Sequence, residues 1–298
     1  MEQMTFSDLG ISQEILQALE KKGYGYPTTV QREAIPPFLA WKDVIAKAPT
    51  GTGKTFAFGI PMIEHIDPEN RQVQGLILAP TRELALQIGE ELRDLLILRP
   101  EIRVAVYYGG TRIRGEIRQM EKKTPHILVA TPGRLLDHCK RGSVSLDSVK
   151  TLVLDEADRM LDMGFFKDVT RIVERCRNRT NMGLFSATIS QEVMTVSWMY
   201  QRDEVEITVE PELEDRPDID QYYITAPSFL EKADATLRLI RGQGFERVLI
   251  FCNTKHVCQR LCDEFQREGL DCQCLHGDIR QTSGRRPCSS SGTASSRC

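Results

Sequence analysis

The sequence predicts an α/β fold, in which a doubly wound parallel sheet is followed by part of a second domain of the same class. Short apolar runs alternate with longer amphipathic stretches along most of the chain. These runs are too short and too uniformly apolar for strands with one solvated face, a pattern typical of a parallel sheet covered by helices on both sides. The alternation of strand and helix indicates a doubly wound domain, whose ligands bind at the carboxyl ends of the strands.

Six apolar runs are the predicted strands of the first domain, and amphipathic stretches such as 82–98 are the predicted helices between them. The predicted strands are 43–46, 75–78, 103–107, 126–129, 151–154 and 182–185. Each candidate functional motif described below for this domain follows one of these strands, apart from one near the start of the chain.

The remaining segments divide the chain. An acidic, proline-containing stretch at 210–220 predicts a linker that closes a first domain of residues 1–209. Strands predicted at 221–224, 247–251 and 271–275 begin an incomplete second domain, 221–282. The Ser-rich segment 283–298 has no apolar period and predicts a disordered tail.

Composition limits the possible classes of protein. With 41% apolar residues the chain is able to bury a sizeable core, and a net charge of −3 excludes a broadly basic nucleic-acid coat protein. Any contact with nucleic acid must then rely on a few placed arginines and on backbone amides. Because the sequence shows neither a signal peptide nor a long apolar run, we expect a soluble, cytoplasmic protein. The nine cysteines lack paired C-x-x-C spacing, which predicts reduced thiols rather than a metal site or disulfides.

The segment 48–55, APTGTGKT, follows a predicted strand and precedes a predicted helix, as a phosphate loop does. Gly51 and Gly53 allow backbone N–H groups to face phosphates, and the helix adds its positive N-terminal end. Lys54 would neutralise the β- and γ-phosphates, and the Thr55 hydroxyl would bind Mg²⁺. The first residue is alanine instead of glycine, and alanine is small enough to be tolerated if its φ is negative; the alternative is a Gly-rich turn without a nucleotide. The candidate ATP-binding residues of the loop are Ala48, Pro49, Thr50, Gly51, Thr52, Gly53, Lys54 and Thr55.

The acidic segment 155–158, DEAD, directly follows the apolar strand 151–154. Asp155 at this position would hold Mg²⁺, largely through water, together with Thr55. Glu156 would orient or deprotonate the attacking water, so that Lys54 and Glu156 are the candidate catalytic residues. An acidic cluster after a strand is also typical of a helix N-terminus stabilised by the helix dipole. Its combination with a phosphate loop favours a site for ATP and Mg²⁺.

From Phe6 to Asp278 these motifs together resemble the DEAD-box ATP-dependent RNA helicases. The segment 23–31, GYGYPTTVQ, with Phe6 ahead of it, is similar to the family's adenine-reading Q motif. The Gln31 amide would both donate to and accept from adjacent atoms of the adenine edge. The ring of Phe6 or of Tyr24 would stack on the base.

Three further motifs resemble the family's contacts with the RNA backbone, which use hydroxyls, an arginine or bare amides and read no sequence. The residues concerned are Pro80, Thr81, Arg82, Gly109, Gly110, Thr131, Pro132, Gly133 and Arg134. Ser186 and Thr188 resemble the motif that couples ATP to strand separation, with their hydroxyls within reach of Asp158. LIFCNT at 249–254 and HGD at 276–278 are similar to the first motifs of the second domain. Several motifs are weak alone, and their order after successive strands carries the resemblance.

The resemblance implies a RecA-like P-loop domain followed by a partial second RecA-like domain. It implies RNA-stimulated ATP hydrolysis coupled to local unwinding of RNA duplexes, with ATP and Mg²⁺ as cofactors. RNA, held by its backbone with little sequence specificity, is the implied partner, and no membrane is involved. Two alternatives stay open: a non-catalytic nucleotide- and RNA-binding module, and a DNA helicase, which the Q motif and the DEAD tetrad disfavour.

The chain departs from the family pattern at several positions. Trp41 stands where the family usually has a small residue, and it predicts a packing role. After Gln281 the family expects an arginine where Gly284 stands, and neither its Thr-Asp segment nor its arginine pair follows. The arginine-finger role is not assigned to Arg285 and Arg286. We therefore expect weak ATP binding and negligible turnover, with either a frameshift near codon 282 or a natural short form as the cause.

Overall fold

The structure, a computed structural model, describes residues 4–210 and 219–278 of the chain. The chain divides into two compact units, Met1–Pro217 and Asp218–Cys298, and each is considered by itself. Most of the predicted linker 210–220 and the whole predicted tail 283–298 lie outside the described residues. The domain boundaries at 209 and 220 therefore stay predictions.

The first unit is built on a seven-stranded sheet in which every pair of neighbouring strands is parallel. Its strands follow the order β3-β4-β2-β5-β6-β1-β7. They are β1 (Val44–Lys47), β2 (Gly75–Leu78), β3 (Val104–Tyr107), β4 (Ile127–Ala130), β5 (Thr151–Asp155), β6 (Asn181–Ser186) and β7 (Val205–Thr208). The predicted fold class is confirmed, and the bounds of the six predicted strands differ from β1–β6 by no more than one residue at either end.

The sequence analysis missed β7, which pairs with β1 at one edge of the sheet. Only Ile207 of its four residues is buried, and two of the other three are exposed. An edge strand has one neighbour and one covered face, so it needs no uniformly apolar run. A pattern of uniformly apolar runs therefore does not identify β7.

Nine α-helices accompany this sheet in the described part of the first unit. They are α1 (Gln13–Lys21), α2 (Thr29–Leu39), α3 (Lys54–Glu64), α4 (Arg82–Leu95), α5 (Ile113–Lys122), α6 (Pro132–Lys140), α7 (Ala157–Met160), α8 (Phe166–Arg175) and α9 (Gln191–Tyr200). Successive residues of β5 enter different apolar cores: Val153 joins one formed with α1–α4, whereas Leu152 and Leu154 join one formed with α5–α9. Both faces of the sheet are covered, which explains the uniformly apolar strands.

In the second unit the structure describes two helices, α10 (Phe229–Gln243) and α11 (Lys255–Arg267). Ala233, Leu237 and Phe265 form their small shared core. The strands predicted at 221–224, 247–251 and 271–275 are wrong, because within 219–278 these segments form no ladder with one another. Strand propensity is realised only when a neighbouring strand accepts the backbone hydrogen bonds. Phe251, for example, is 89% exposed.

Three smaller sequence-based expectations concern packing, thiols and membranes. Trp41 stacks on His65 with ring centroids 3.5 Å apart, as expected of a packing residue. The seven cysteines within the described ranges are free, and these ranges contain no cluster of His, Cys, Asp and Glu arranged for a metal ion. Within residues 4–210 and 219–278 no helix combines the length and the apolar character needed to span a bilayer.

Candidate nucleotide and RNA site

The strand order gathers the candidate residues into two neighbouring groups at one edge of the sheet. The phosphate loop, the DEAD segment and the segment 186–188 follow β1, β5 and β6, which are neighbours in the sheet. The three candidate RNA segments follow β2, β3 and β4, which are also neighbours. Because all strands run in the same direction, the carboxyl edge carries the candidate nucleotide residues on one half and the candidate RNA residues on the other.

The phosphate loop connects β1 to α3, and two of its glycines have backbone angles that favour glycine. Gly51 and Gly53 have φ of 86° and 88°, and Gly53 caps the N-terminus of α3. Lys54 is buried, and its Nζ donates a hydrogen bond to the Ala48 carbonyl at 2.8 Å. The Thr52 hydroxyl donates to the Pro49 carbonyl at 2.8 Å. The loop is thus folded by its own hydrogen bonds, with the Lys54 ammonium directed back into it.

Gln31 links the candidate adenine site to the phosphate loop. Its Nε2 donates to the Gly53 carbonyl at 3.0 Å, and its Oε1 accepts from the Thr28 backbone N–H at 3.0 Å. Thr28 is the N-cap of α2, so the Gln31 amide completes a capping box there. Each end of the amide keeps one further hydrogen-bonding position, which is what reading an adenine edge requires.

The two candidate stacking rings differ in exposure. Phe6 is 4% exposed and belongs to the apolar core, whereas Tyr24 is 49% exposed and lies nearly perpendicular to the Phe56 ring with ring centroids 5.0 Å apart. Of the two rings, Tyr24 therefore has the larger free face. The assignment of either ring to adenine stays a proposal.

We expect Gly53→Ala to disrupt the loop more than Gly51→Ala does. Both glycines have the same left-handed backbone, but a Cβ at Gly53 would overlap Gln31 Nε2, whereas a Cβ at Gly51 meets no atom within 4 Å. Gly51→Ala should cost about 1 kcal/mol of unfolding free energy through backbone strain alone. Gly53→Ala should cost about 1–3 kcal/mol more, because it also displaces the Gln31 amide. Chemical denaturation measures the difference, and equal losses in the two variants would contradict it.

Asp155 ends β5 as a buried carboxyl close to the charge of Lys54. Burial raises the pKa of Asp155 from its ordinary 3.8 to about 7, although the Lys54 charge and the Glu156 backbone N–H act to lower it. That N–H donates to Asp155 Oδ1 at 3.0 Å. A buried carboxylate next to a phosphate loop has the donor chemistry that Mg²⁺ prefers, and the cation would compensate for the lost hydration.

Glu156 occupies a strained backbone position beside Asp155. Its φ of 46° lies in the left-handed region, which is uncommon for a residue with a Cβ. Its carboxylate accepts from Arg159 at 3.1 Å, and Arg159 is itself mostly exposed. Strain of this kind concentrates at functional sites, where it holds a side chain in a required direction.

Asp158 is tied directly to the segment after β6. Its Oδ2 accepts from the Thr188 backbone N–H at 2.9 Å and from the Thr188 hydroxyl at 2.6 Å, while its own N–H donates to Ser186 Oγ at 3.1 Å. Burial raises the pKa of Asp158, but the hydrogen bonds from Thr188 and Ser186 outweigh it and hold the pKa below its ordinary value. The geometry provides the contact on which a coupling role would depend.

The candidate RNA residues after β2 and β3 lie at the start of helices or on exposed loops. Thr81 caps α4 and its hydroxyl accepts from Leu84 N. The guanidinium of Arg82 lies 4.5 Å from the centre of the Tyr108 ring. Tyr108 directly precedes Gly109 and Gly110 in the sequence. The two glycines are exposed, so their backbone amides are accessible to a phosphate.

Arg134, in the segment after β4, is placed differently from an exposed phosphate contact. It is 8% exposed, its Nη2 donates to the Thr111 carbonyl at 2.8 Å, and its Nη1 lies 3.5 Å from a Glu116 carboxylate oxygen. The guanidinium therefore joins the Thr131–Arg134 segment to the beginning of α5. Within the segment Pro132 is also buried, whereas Gly133 is exposed.

Sequence reasoning missed Glu116 and His138, which complete this cluster. His138 is fully buried, with Nε2 2.8 Å from a Glu116 oxygen and Nδ1 2.8 Å from Ser143 Oγ. Burial raises the pKa of Glu116, but hydrogen bonds from His138 and Thr111 and the charge of Arg134 hold it below its ordinary value. The sequence separation of 22 positions between Glu116 and His138 hides the pairing. An acidic residue on the inner side of α5 was the one available signal.

We expect Glu116→Gln to lower the free energy of unfolding by about 1–3 kcal/mol near neutral pH, because Arg134 would lose its buried counter-charge. The folded pKa is lower than the unfolded 4.5, so the contribution of Glu116 is complete above about pH 5 and is lost as pH falls through the folded pKa. Denaturation between pH 3 and pH 8 measures it. The control is Glu121→Gln, an exposed position of the same helix. Equal stability of the two variants at pH 7 would contradict the prediction.

A phosphate loop between a strand and a helix, with a buried carboxyl ending a nearby parallel strand, defines a P-loop nucleotide-binding protein of the α/β class. Comparison with known proteins gives the family. The family model described as DEAD/DEAH box helicase matches residues 28–196, which is more than half of the chain. The chain belongs to this family.

Relatives and solved structures agree with this assignment. The chain is 42% identical over 278 residues to the ATP-dependent RNA helicase CshA of Limosilactobacillus reuteri, covering 93% of the chain and 55% of that protein. It is 39% identical over 277 residues to the ATP-dependent RNA helicase DeaD of Escherichia coli, covering 93% of the chain and 44% of that protein. The chain thus spans about half the length of these curated relatives.

The crystal structure of a DEAD box protein from Methanococcus jannaschii matches with a TM-score of 0.66 at 36% identity, covering 95% of this chain and 75% of that one. A hypothetical ATP-dependent RNA helicase from Sulfolobus tokodaii matches with a TM-score of 0.62 at 37% identity, covering 67% of this chain and 57% of that one. Both support the parallel α/β fold.

Proposed function

We propose that the chain acts in ATP-dependent RNA unwinding and contributes the domain that binds ATP, Mg²⁺ and the RNA backbone. The observation that carries this proposal is the division of the sheet edge, where nucleotide motifs follow β5, β6 and β1 and RNA motifs follow β3, β4 and β2. The two halves adjoin through β2 and β5, which are hydrogen-bonded neighbours. A nucleotide bound at one half and RNA bound at the other would therefore lie on adjoining strands.

The residues present fit Mg²⁺ and ATP. Bound Mg²⁺ would neutralise phosphate charge and polarise the γ-phosphoryl group. Thr55 and Asp155 would hold the cation, the latter largely through water, and the buried Lys54 ammonium would exchange the Ala48 carbonyl for phosphate oxygens. Glu156 would orient the attacking water from its left-handed position. Gln31 and an aromatic ring, Tyr24 or Phe6, would hold the adenine.

The RNA backbone would lie on the other half of the edge. The exposed amides of Gly109 and Gly110 and the Thr81 and Thr131 hydroxyls are groups that hold phosphates without reading bases. Arg82 would add a charge beside them. Arg134 would position the segment after β4 through Thr111 and Glu116, because its guanidinium is already engaged there. Asp158, with Ser186 and Thr188, would couple the nucleotide to this half.

A second candidate function is nucleotide and RNA binding without turnover. One observation favours it for this chain: segments 221–224, 247–251 and 271–275 have no strand partners within residues 219–278. Without a paired sheet in its described part, the second unit offers no rigid frame there for residues that would complete a catalytic site. Binding would then persist while hydrolysis stays negligible.

Two assays on the purified 298-residue chain separate the candidates. Fluorescence anisotropy with a labelled single-stranded RNA, with and without ATP and Mg²⁺, tests binding, and release of inorganic phosphate with and without RNA tests turnover. RNA-stimulated phosphate release that Glu156→Gln abolishes supports the helicase activity. ATP-dependent RNA binding without phosphate release supports the binding module. A chain that binds neither ATP nor RNA would overturn both.

A further inference from the structure

Helix α5 carries a row of exposed basic side chains that the motifs described above do not include. Arg114, Arg118 and Lys122 follow one another at intervals of four residues, so they share one face of the helix. Arg112 and Lys123 flank the helix at its two ends, and all five side chains are exposed. We call Arg114, Arg118 and Lys122 the α5 basic stripe.

No acidic side chain among the described residues forms an ion pair with the stripe. None of the ion pairs within 4–210 and 219–278 involves its members. Of the two acidic residues in α5, Glu116 turns inward to His138 and Arg134, and only Glu121 is exposed. The concentration of positive charge stands out in a chain whose net charge is −3.

The position of α5 connects the stripe to the candidate RNA residues. The helix begins at Ile113, three residues after the exposed Gly110, and Arg134 donates to the Thr111 carbonyl at 2.8 Å. Glu116 contacts His138 and Arg134 of α6 and so fixes the inner face of α5 against α6. The stripe lies on the opposite face of α5. From Arg114 to Lys122 the stripe extends about 12 Å along the helix axis. It therefore continues the candidate site for the RNA backbone away from Gly109 and Gly110, which we call the glycine loop.

The chemistry of the stripe fits a polyanion better than a protein surface. Its long cationic side chains suit phosphate groups, whereas the centre of a protein interface is formed by aromatic and other apolar side chains with few charges. The exposed positions of α5 carry no aromatic residue. We propose that the α5 basic stripe binds the phosphates of an RNA strand that extends beyond the glycine loop, and that it sets much of the salt dependence of binding. This inference rests on the proposed RNA-binding function.

A charge-neutralising variant tests the stripe. Arg114→Gln, Arg118→Gln and Lys122→Gln are combined in the full chain, and the matched control combines Lys42→Gln, Arg71→Gln and Arg177→Gln. The control residues are exposed basic side chains near the amino ends of β1, β2 and β6, at the opposite edge of the sheet. Melting curves check that both variants fold, as expected for surface substitutions.

Affinity for labelled single-stranded RNAs of about 10 and about 20 nucleotides is measured between 50 and 300 mM KCl. For the longer RNA we expect the stripe variant to reduce the slope of log affinity against log salt by about 2, since each lost contact removes about 0.7. At the lowest salt its affinity should fall by at least about 10-fold, and the short RNA should be affected less. The control variant should keep the wild-type slope.

Two outcomes would overturn the proposal, and they differ in meaning. If the wild-type chain binds RNA and both triple variants retain the same slope, the stripe is a solvated helix face while the proposed function stands. If the wild-type chain binds neither RNA at any salt concentration, the proposed function fails together with the stripe.

Discussion

Lys54→Ala is expected to lower the affinity of the chain for ATP in the presence of Mg²⁺ by at least about 100-fold, because it removes the one buried ammonium of the phosphate loop. Lys54 is 7% exposed and directed into the loop, where the Ala48 carbonyl holds its Nζ at 2.8 Å. An alanine side chain cannot replace the positive charge that would face the β- and γ-phosphates. Titration with a fluorescent ATP analogue, displaced by unlabelled ATP, measures the change.

The control for this prediction is Lys47→Ala. Lys47 ends β1, seven residues before Lys54, and its side chain is exposed. A thermal melt without nucleotide shows whether Lys54→Ala still folds, so that loss of binding is not confused with loss of structure. If folded Lys54→Ala binds ATP as tightly as Lys47→Ala does, the loop is a Gly-rich turn and the nucleotide site is misassigned.

Asp155→Asn is expected to remove both the Mg²⁺ dependence of ATP binding and a pH dependence that the wild-type chain should show. The pKa of Asp155 is raised by burial to about 7, so below that pH the carboxyl is largely protonated and unable to bind a cation. The ratio of wild-type to variant affinity should therefore rise up to about tenfold per pH unit below pH 7 and level off above about pH 8. Using the ratio cancels the titration of the nucleotide itself.

The pH series is run between pH 5.5 and pH 8.5 with Mg²⁺ in excess. Asp147→Asn is the control, since Asp147 is exposed and precedes β5 at the opposite end of that strand. It should keep the wild-type profile. A constant ratio of wild-type to Asp155→Asn affinity across the series would show that Asp155 does not contact the cation.

Much of the first unit follows from the sequence because its strands are buried on both faces. Leu152, Val153 and Leu154 need no polar alternation, since both apolar cores accept them. The local sequence pattern was insufficient where a strand is defined by its pairing with a neighbouring strand. β7 has one buried residue and is defined by its pairing with β1. The segment 247–251 has the opposite property, a strand-like sequence without a ladder inside residues 219–278.

The position of the candidate residues in the fold was predictable to the same degree. Motif order after successive strands placed Lys54, Asp155 and Thr188 at one sheet edge, because parallel strands share that edge. Side-chain pairings between distant segments were not predictable, and they changed the interpretation of Arg134. Its guanidinium is bound by Thr111 and Glu116, which only the packing of α5 against α6 brings within reach. The Gln31–Gly53 hydrogen bond is a second such pairing.

The most direct test of the central claim is a calorimetric titration of the wild-type chain with ATP, with and without Mg²⁺, at pH 7 in two buffers of different ionisation heat. We expect one site per chain, a requirement for Mg²⁺, and a proton release larger than that of Asp155→Asn by about half a proton, because the Asp155 carboxyl has a pKa of about 7. Binding that is independent of Mg²⁺ and unchanged in Lys54→Ala, or no binding of ATP at millimolar concentration, would contradict the nucleotide site.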